Sequence, residues 1–502
     1  MNMYRYLLAF VLLVAISAST GCENLLNERA YSQLDPETVL DNRGGIESVL
    51  ISAYGNINWL DKARINEWEG YPADLTFARQ GGEERQARIM ENWEWDASTT
   101  ITGGNSADSF INIYSKHYNV IRDVNLILDN IGAVTGMSEE DVEALIAEAR
   151  FLRAWAYYRL YIYFGPTPLR KSTEDPQEMA RATEAEMVEF IETEILEAIP
   201  HLPAPGEEQN YGRVTNGGAM GLLTKFYLNT KQWQKAADMA ESIIDMEVYE
   251  LFPVFGDLLK VENEGNSEMM LVNTRHPNAG GGNTQDYING AFPPGFREWP
   301  EKGLTMQDNW ANWAVGYRFR DDFYHSFDPE DQRREPLLTE YVNGAGETVD
   351  LLNDFSDNIR SFRIWPDQNA QGNHHGNDMP EVRYADILLA RAEALNELDG
   401  PNSESIQLIN QVRNRAGLTG SKEVAVEDFT SKEDLRDHIF EERKWEFYGE
   451  GHRRTDLIRQ GKFIEQAINR GVTHASEHHR RYPIPQAAID ANLKLKQNDG
   501  YY

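Results

Sequence analysis

The sequence predicts a mainly α-helical chain in which antiparallel helix pairs form a scaffold and long irregular loops carry the chemistry. Three observations lead there. Apolar residues recur at helical spacing over 143–164, and a helix–break–helix pattern rich in alanine occupies 219–244. Two blocks, 58–104 and 262–380, show no sustained period, being rich in Gly, Asn, Asp and Pro while remaining dense in aromatics. Loops that long inside a packed chain are functional or disordered, and their Trp and Phe content argues against disorder.

The first element is "MNMYRYLLAFVLLVAISAST": Arg5, an uncharged apolar run from Leu7 to Ile16, then small residues up to Gly21. The run is too short for a membrane span, which needs about 20 apolar residues, and has the layout of a secretory signal peptide. Residues 1–21 are therefore expected to be removed. Cys22 is the single cysteine of the 502 residues, so an internal disulfide is impossible. Gly21-Cys22 at the cut resembles a bacterial lipobox, with Ser19 where Leu is usual. That resemblance implies lipidation of the Cys22 thiol, a firm anchor once two or more acyl chains are attached. The alternative is an ordinary signal peptide followed by a chance cysteine.

Helical stretches follow at 45–57, 109–131 and 143–164. In the third, Leu145, Ala149, Leu152, Ala156, Leu160 and Tyr163 define one apolar face and further aromatics fill the others, so this helix is expected to be largely buried. Over 219–244 an apolar helix, a polar break at 229–232 and an amphipathic helix with Ala236, Ala237, Ala240 and Ile244 look like a tetratricopeptide unit, small residues permitting close packing. Further helices are predicted at 382–398, 403–417 and 432–451, at irregular spacing that excludes a simple solenoid. In the last, Glu442 and Glu446 are expected to pair with Arg443, Arg453 and Arg454 in a partly buried ion network. Acids held among arginines stay ionised and make poor proton donors.

Lys plus Arg number 48 and Asp plus Glu 81, a formal charge of −33 that excludes tracking along a nucleic-acid backbone. The same charge disfavours lying flat on an anionic lipid surface. No second apolar stretch approaches span length.

Several stretches, taken in order, resemble one family: "AEARFLRAWAYYRLYIYFGPTPL" (147–169), "GRVTNGGAMGLLTKFYL" (212–228), "PEVRYADILLARAEALNE" (380–397), "INQVRNRAGL" (409–418), "EERKWEFYGEGHRRTDLIRQGKF" (441–463) and "YPIPQAAIDANLKLKQNDGY" (482–501). The chain is identified from these as similar to the SusD/RagB-like outer-membrane nutrient-binding lipoproteins of Bacteroidota. The resemblance implies a SusD-like globular unit over 22–502, divided into an N-terminal part, 22–230, and a C-terminal part, 231–502, with a loop-rich insert at 262–380. It implies a non-catalytic role: capture of oligo- or polysaccharide at the cell surface and delivery to a SusC-like TonB-dependent transporter, with the chain held on the outer membrane by its lipid. No cofactor or metal is implied. Peptide in place of glycan, as in RagB-like members, is the alternative cargo, and a secreted glycoside hydrolase is the reading from another class.

A sugar ring shows C–H groups on its faces and hydroxyls round its rim, so a binder needs flat aromatic faces with planar polar groups beside them. The first loop block offers Trp68, Tyr71, Asp74, Arg79, Trp93 and Trp95; the second offers Arg275, Asn283, Tyr287, Phe296, Trp299, Trp310, Asn312, Trp313 and Tyr317. Trp93 and Trp95, two apart, face one way in an extended segment. Trp310 and Trp313, three apart on one side of a helical turn, make the preferred platform. Trp155, Trp233 and Trp445 fall inside scaffold helices and are assigned to the core. "QGNHHGND", with His374, His375 and Asp378, is a weak metal candidate because adjacent histidines rarely point at one ion and no third ligand follows at suitable spacing. No phosphate-cradling glycine loop, GxSxG elbow or HExxH pair is present.

Overall fold

In the computed structural model the described residues are 40–63, 69–78, 85–99, 110–277, 285, 287–314 and 316–501. The signal segment, Cys22, Trp68, Arg79 and Asn283 lie outside them. Among the described residues no helix is long and apolar enough to cross a membrane.

The N-terminal half is built from α1 (Arg43–Ala63), α2 (Phe110–Asn130), α3 (Glu139–Phe164), α4 (Glu184–Ala198), α5 (Asn216–Asn229) and α6 (Trp233–Ile244). α3 starts where the Ser138 hydroxyl accepts from Asp141 N–H and Glu139, Glu140 and Asp141 meet the positive end of the helix dipole. It stops at Gly165, whose φ of 73° cannot continue a helix. From Phe151 to Leu160 every side chain is buried, as the aromatic filling of the sequence required. α4 was not among the predicted helices, although Thr183 and Glu186 form a capping box and Met187, Ile191, Ile195 and Ala198 line its buried face.

α5 and α6 form the expected antiparallel pair. The glycines of α5 are there for contact, since a Cβ at Gly218 would sit 2.6 Å from the Met270 carbonyl oxygen and one at Gly221 would sit 2.8 Å from Val382 Cγ1. Both approaches press α5 onto the antiparallel strands β2 (Met269–Asn273) and β10 (Met379–Arg383). The C-terminal half adds α7 (Tyr384–Asp399), α8 (Ser403–Arg415), α9 (Lys432–Phe447), α10 (Arg453–Arg459) and α11 (Phe463–Asn469). α9 ends four residues before the predicted limit, ahead of Gly449 and Gly451, both at positive φ. Trp233 and Trp445, assigned to the core, are only half-buried; the Trp445 indole N–H donates to Ser326 Oγ at 3.0 Å.

The loop blocks also contain short strands. One sheet runs β4 (Leu304–Thr305), β3 (Phe296–Trp299), β7 (Glu340–Asn343) and β8 (Thr348–Asp350). Another runs β1 (Thr76–Phe77), β5 (Arg318–Phe319), β9 (Ile359–Ser361) and β6 (Leu337–Leu338). In it Thr76 pairs with Phe319 and Phe77 with Arg318, so the first loop block is stitched to the second. Beneath these sheets Phe292, Phe296, Trp299, Trp310, Tyr341 and Phe362 share one hydrophobic cluster.

The ion network on α9 exists, with other partners than the nearby arginines expected. Glu442 accepts from Arg333 and Arg413, while Glu446 pairs with Arg333, Arg383 and Arg415. Arg443 instead pairs with Asp386 at 2.8 Å and Asp456 at 2.9 Å, Arg453 with Asp74, and Arg454 lies over the Tyr482 ring. Burial pushes both glutamates up, and the surrounding guanidinium groups more than offset it, holding both carboxyls below their ordinary values.

Candidate ligand-binding surface

Most of the aromatics that sequence reasoning placed on a binding surface face inward. Trp93 has φ 58°, not an extended backbone; its indole donates to the Pro72 carbonyl at 3.2 Å and its ring stacks 4.3 Å from Phe463. Trp95 does sit beside it, 5.5 Å between ring centroids, but it is buried and its N–H donates to the Tyr501 hydroxyl at 2.8 Å. Trp299 packs on Phe362 at 5.8 Å. Tyr287 is buried, stacked 5.0 Å from Tyr317 with rings 5° apart. Tyr71 is buried and its hydroxyl oxygen lies 3.5 Å from the Tyr317 N–H that it accepts from. Arg275 is buried, its backbone N–H donating to Asp378 Oδ1 at 2.7 Å. Asp74 is committed to Arg453 through two bonds of 2.7 Å; burial raises its carboxyl and that guanidinium more than compensates. None of these side chains presents a free face.

The preferred pair divides. Residues 310–314 are not helical, so three positions along the chain do not return to the same side. Trp310 is 6% exposed and packs against Phe292 at 6.0 Å and His375 at 5.9 Å. Trp313 is 39% exposed, and among the tryptophans whose side chains are described it is the one that reaches solvent to that degree.

Hydrogen bonds tie down the backbone on either side of Trp313. Its N–H donates to the Asn289 carbonyl at 2.9 Å, and Asn312 braces the turn by donating to the Pro293 carbonyl at 3.1 Å and accepting from Ala314 N–H at 2.7 Å. Asn312 is thus a loop brace more than a ligand finger. Ala314 and Tyr317 sit at φ 55° and 52°, conformations that cost energy for residues with a Cβ and persist only where surroundings impose them. The imposing group is Arg360, fully buried, which donates to the Gly290 and Gly316 carbonyls. Gly316 in turn lies against Tyr71, and β1 pairs with β5 directly after the loop. Both loop blocks therefore meet at residues 316–319, just after Trp313 in the chain.

A second loop runs beside it. Ala311 N–H donates to the Gly372 carbonyl at 2.8 Å, Gly372 N–H to Asn309 at 2.7 Å, and Asn289 Nδ2 to the Asn373 carbonyl at 3.0 Å. This brings Asn373 and His374, both half-buried, next to Trp313. His375 points the other way: it is buried, its Nδ1 accepts from Asp367 N–H at 3.2 Å, and burial pushes its pKa down to about 4. Among the described residues no group of three or more His, Cys, Asp or Glu is placed to hold a metal ion. In the sequence the segment containing His374 reads only as a metal candidate; its run of side-chain amides is the signal for a polar surface.

The comparisons with known proteins fit this architecture. A family model described as "SusD family" matches residues 300–501, and one described as "Starch-binding associating with outer membrane" matches residues 25–228. The chain belongs to the SusD family. Its relatives include a SusD-like protein of Formosa agariphila, 25% identical with 95% of each chain covered. The starch-binding protein SusD of Bacteroides thetaiotaomicron is 24% identical, covering 96% of this chain and 97% of its own. Among solved structures, a SusD homolog from Bacteroides thetaiotaomicron superposes with TM-score 0.77 at 21% identity, covering 93% and 98%. Surface glycan-binding protein A from the same organism, solved in complex with laminarihexaose, gives 0.74 at 20% identity, covering 91% and 99%. The last two establish a shared SusD fold.

Proposed function

We propose that this SusD-like chain is a non-catalytic glycan-binding lipoprotein of the outer membrane, capturing an oligo- or polysaccharide on the Trp313 ring and passing it to a SusC-like TonB-dependent transporter. The observation that carries this reading is the exposed Trp313 ring on a braced, strained loop where the two loop blocks meet. A preorganised aromatic face needs no ordering on binding, which is where a sugar-stacking site gains affinity. The names of the relatives support the ligand class: one is called starch-binding, and one structural neighbour holds a laminarin oligosaccharide. Trp68 and Arg79 stay in the proposed surface on sequence position alone, flanking the described stretch 69–78. Cys22 is proposed as the lipidated residue that tethers the chain.

Affinity electrophoresis through gels containing starch, laminarin, mannan, alginate or polygalacturonate tests the class, with casein peptides by calorimetry as the alternative cargo. Retardation by at least one polysaccharide is expected. Binding of peptide with no retardation by any polysaccharide moves the chain to a RagB-like role. For the anchor, Cys22→Ala is expected to shift the protein from the membrane to the soluble fraction, and retention after a salt wash contradicts lipidation.

A further inference from the structure

Trp313 stands at one end of a longer polar surface. Two loop segments, 306–314 and 368–374, lie side by side. Gln307 Nε2 donates to Gln368 Oε1 at 2.7 Å, Asn309 Nδ2 to the Ala370 carbonyl at 3.1 Å, and Gly372 N–H to the Asn309 carbonyl at 2.7 Å. At the far end Asn289 joins the backbone of Trp313 to that of Asn373. Apart from Asp308 and Trp313, the side chains exposed on this double strip are amides: Asn309, Gln368, Asn369 and Gln371 are exposed, Gln307 and Asn373 half-buried. The sixteen residues of the two segments include no Lys or Arg and a single carboxylate, Asp308, which faces Arg297 at 3.7 Å. In a chain of formal charge −33 such a strip is a marked local exception.

Amide chemistry selects a partner. Each side-chain amide offers two N–H donors and a carbonyl acceptor without charge, matching hydroxyls, which also donate and accept. Carboxylates and sulfates only accept, and their strong sites are built from Arg and Lys. Planar amides cannot supply that charge, and the surrounding acidic field repels anions. Buried beneath the strip, Asp367 fixes its curvature by accepting from Asn369 N–H at 2.8 Å and Gly376 N–H at 3.1 Å, so the amides are held on a shaped backbone. From Gln307 to Trp313 the strip spans at most about 20 Å at the rise of an extended chain, room for several sugar rings in a row.

We infer that this amide strip is a set of subsites for a neutral, hydroxyl-rich glycan chain that leaves the Trp313 ring and runs along the paired loops toward Gln307 and Gln368. The inference rests on the reading of Trp313 as the stacking residue. It adds that the ligand is uncharged, longer than two sugars, and gripped by amides.

The test compares wild type, Trp313→Ala and the double variant Gln368→Ala with Gln371→Ala by calorimetry. The probes are the disaccharides and hexasaccharides of laminarin, starch, cellulose and mannan, with hexagalacturonate as the anionic probe. Both strip positions are exposed, so melting temperatures are expected to match wild type, which verifies folding. The expected result is that a neutral hexasaccharide loses affinity on the order of tenfold in the strip variant, while its disaccharide binds wild type and strip variant alike. Equal hexasaccharide affinity in both overturns the strip, and so does tighter binding of hexagalacturonate than of every neutral probe. If Trp313→Ala abolishes binding while the strip variant changes nothing, the stacking site stands and only the strip falls. If Trp313→Ala also changes nothing, both fall.

Discussion

Replacing Trp310 by Ala separates core from surface in the second loop block. A tryptophan buries about 150–250 Å², which at about 25 cal/mol per Å² is about 4–6 kcal/mol, an upper figure because an unfolded chain already hides part of that area. Trp310 is in the cluster with Phe292, Phe362 and Ile364, so this figure applies almost in full. Its indole N–H, however, is buried with no hydrogen-bond partner among the described residues, and deleting it returns part of the penalty of about 1–3 kcal/mol that such a group carries. The net cost is therefore expected at about 2–4 kcal/mol, somewhat below a hydrogen-bonded core tryptophan. Trp310→Phe keeps an aromatic face toward Phe292 and His375 while removing the orphan donor, and is expected to cost about 1 kcal/mol or less. Chemical denaturation of both variants, with midpoints compared at a common slope, gives the numbers. A Trp310→Ala protein as stable as wild type yet unable to bind glycan would refute the packing argument and return Trp310 to the surface.

Arg383 is buried against Glu268, Glu446 and Glu450, so Arg383→Ala leaves three carboxylates competing for the remaining arginines and is expected to cost about 3–5 kcal/mol by denaturation; a loss under about 1 kcal/mol contradicts the network. Stability is expected to fall on acidification from about pH 6 to 4. Burial holds His117 near 3 and His375 and His479 near 4, below the ordinary 6.5, so the unfolded chain takes up protons in that window that the native state refuses. Asp378, pushed up to about 6, and Glu264, to about 8, work in the opposite sense together with the raised Glu91 and Asp321, losing their contribution as pH rises, but the three histidines and the lowered carboxyls of Asp74, Glu442, Glu446 and Asp456 outnumber them. Thermal midpoints across pH 4 to 7 check the sign, and a midpoint that climbs steadily on acidification contradicts it.

The helical scaffold was legible because its signals are local. The apolar spacing of α3 and the alanines of α6 lie within single turns of their neighbours, and the helices appeared where that period did. α4 was equally legible, through Thr183, Glu186 and the spacing of Met187, Ile191 and Ile195. Strands of two to five residues are too short to show an alternating period, so the joining of β1 to β5 was invisible, and with it the convergence of the two loop blocks. The partners of Glu442 and Glu446 are not legible locally because Arg333 lies 109 residues from Glu442 and Arg383 lies 63 from Glu446. Trp310 and Trp313 illustrate the limit for the site: both sit in polar loops, and only the covering provided by Phe292 and the loop at 366–375 decides which faces water.

The central claim is that the exposed Trp313 ring is where glycan is held. The direct measurement is a calorimetric titration of Trp313→Ala with whichever polysaccharide retards the wild type, alongside its melting temperature. The expected result is a loss of affinity on the order of tenfold or more with an unmoved melting temperature, since the ring is 39% exposed and makes no side-chain hydrogen bond among the described residues. Wild-type affinity in a folded Trp313→Ala protein would contradict the claim and move the search to the surface around Trp68 and Arg79.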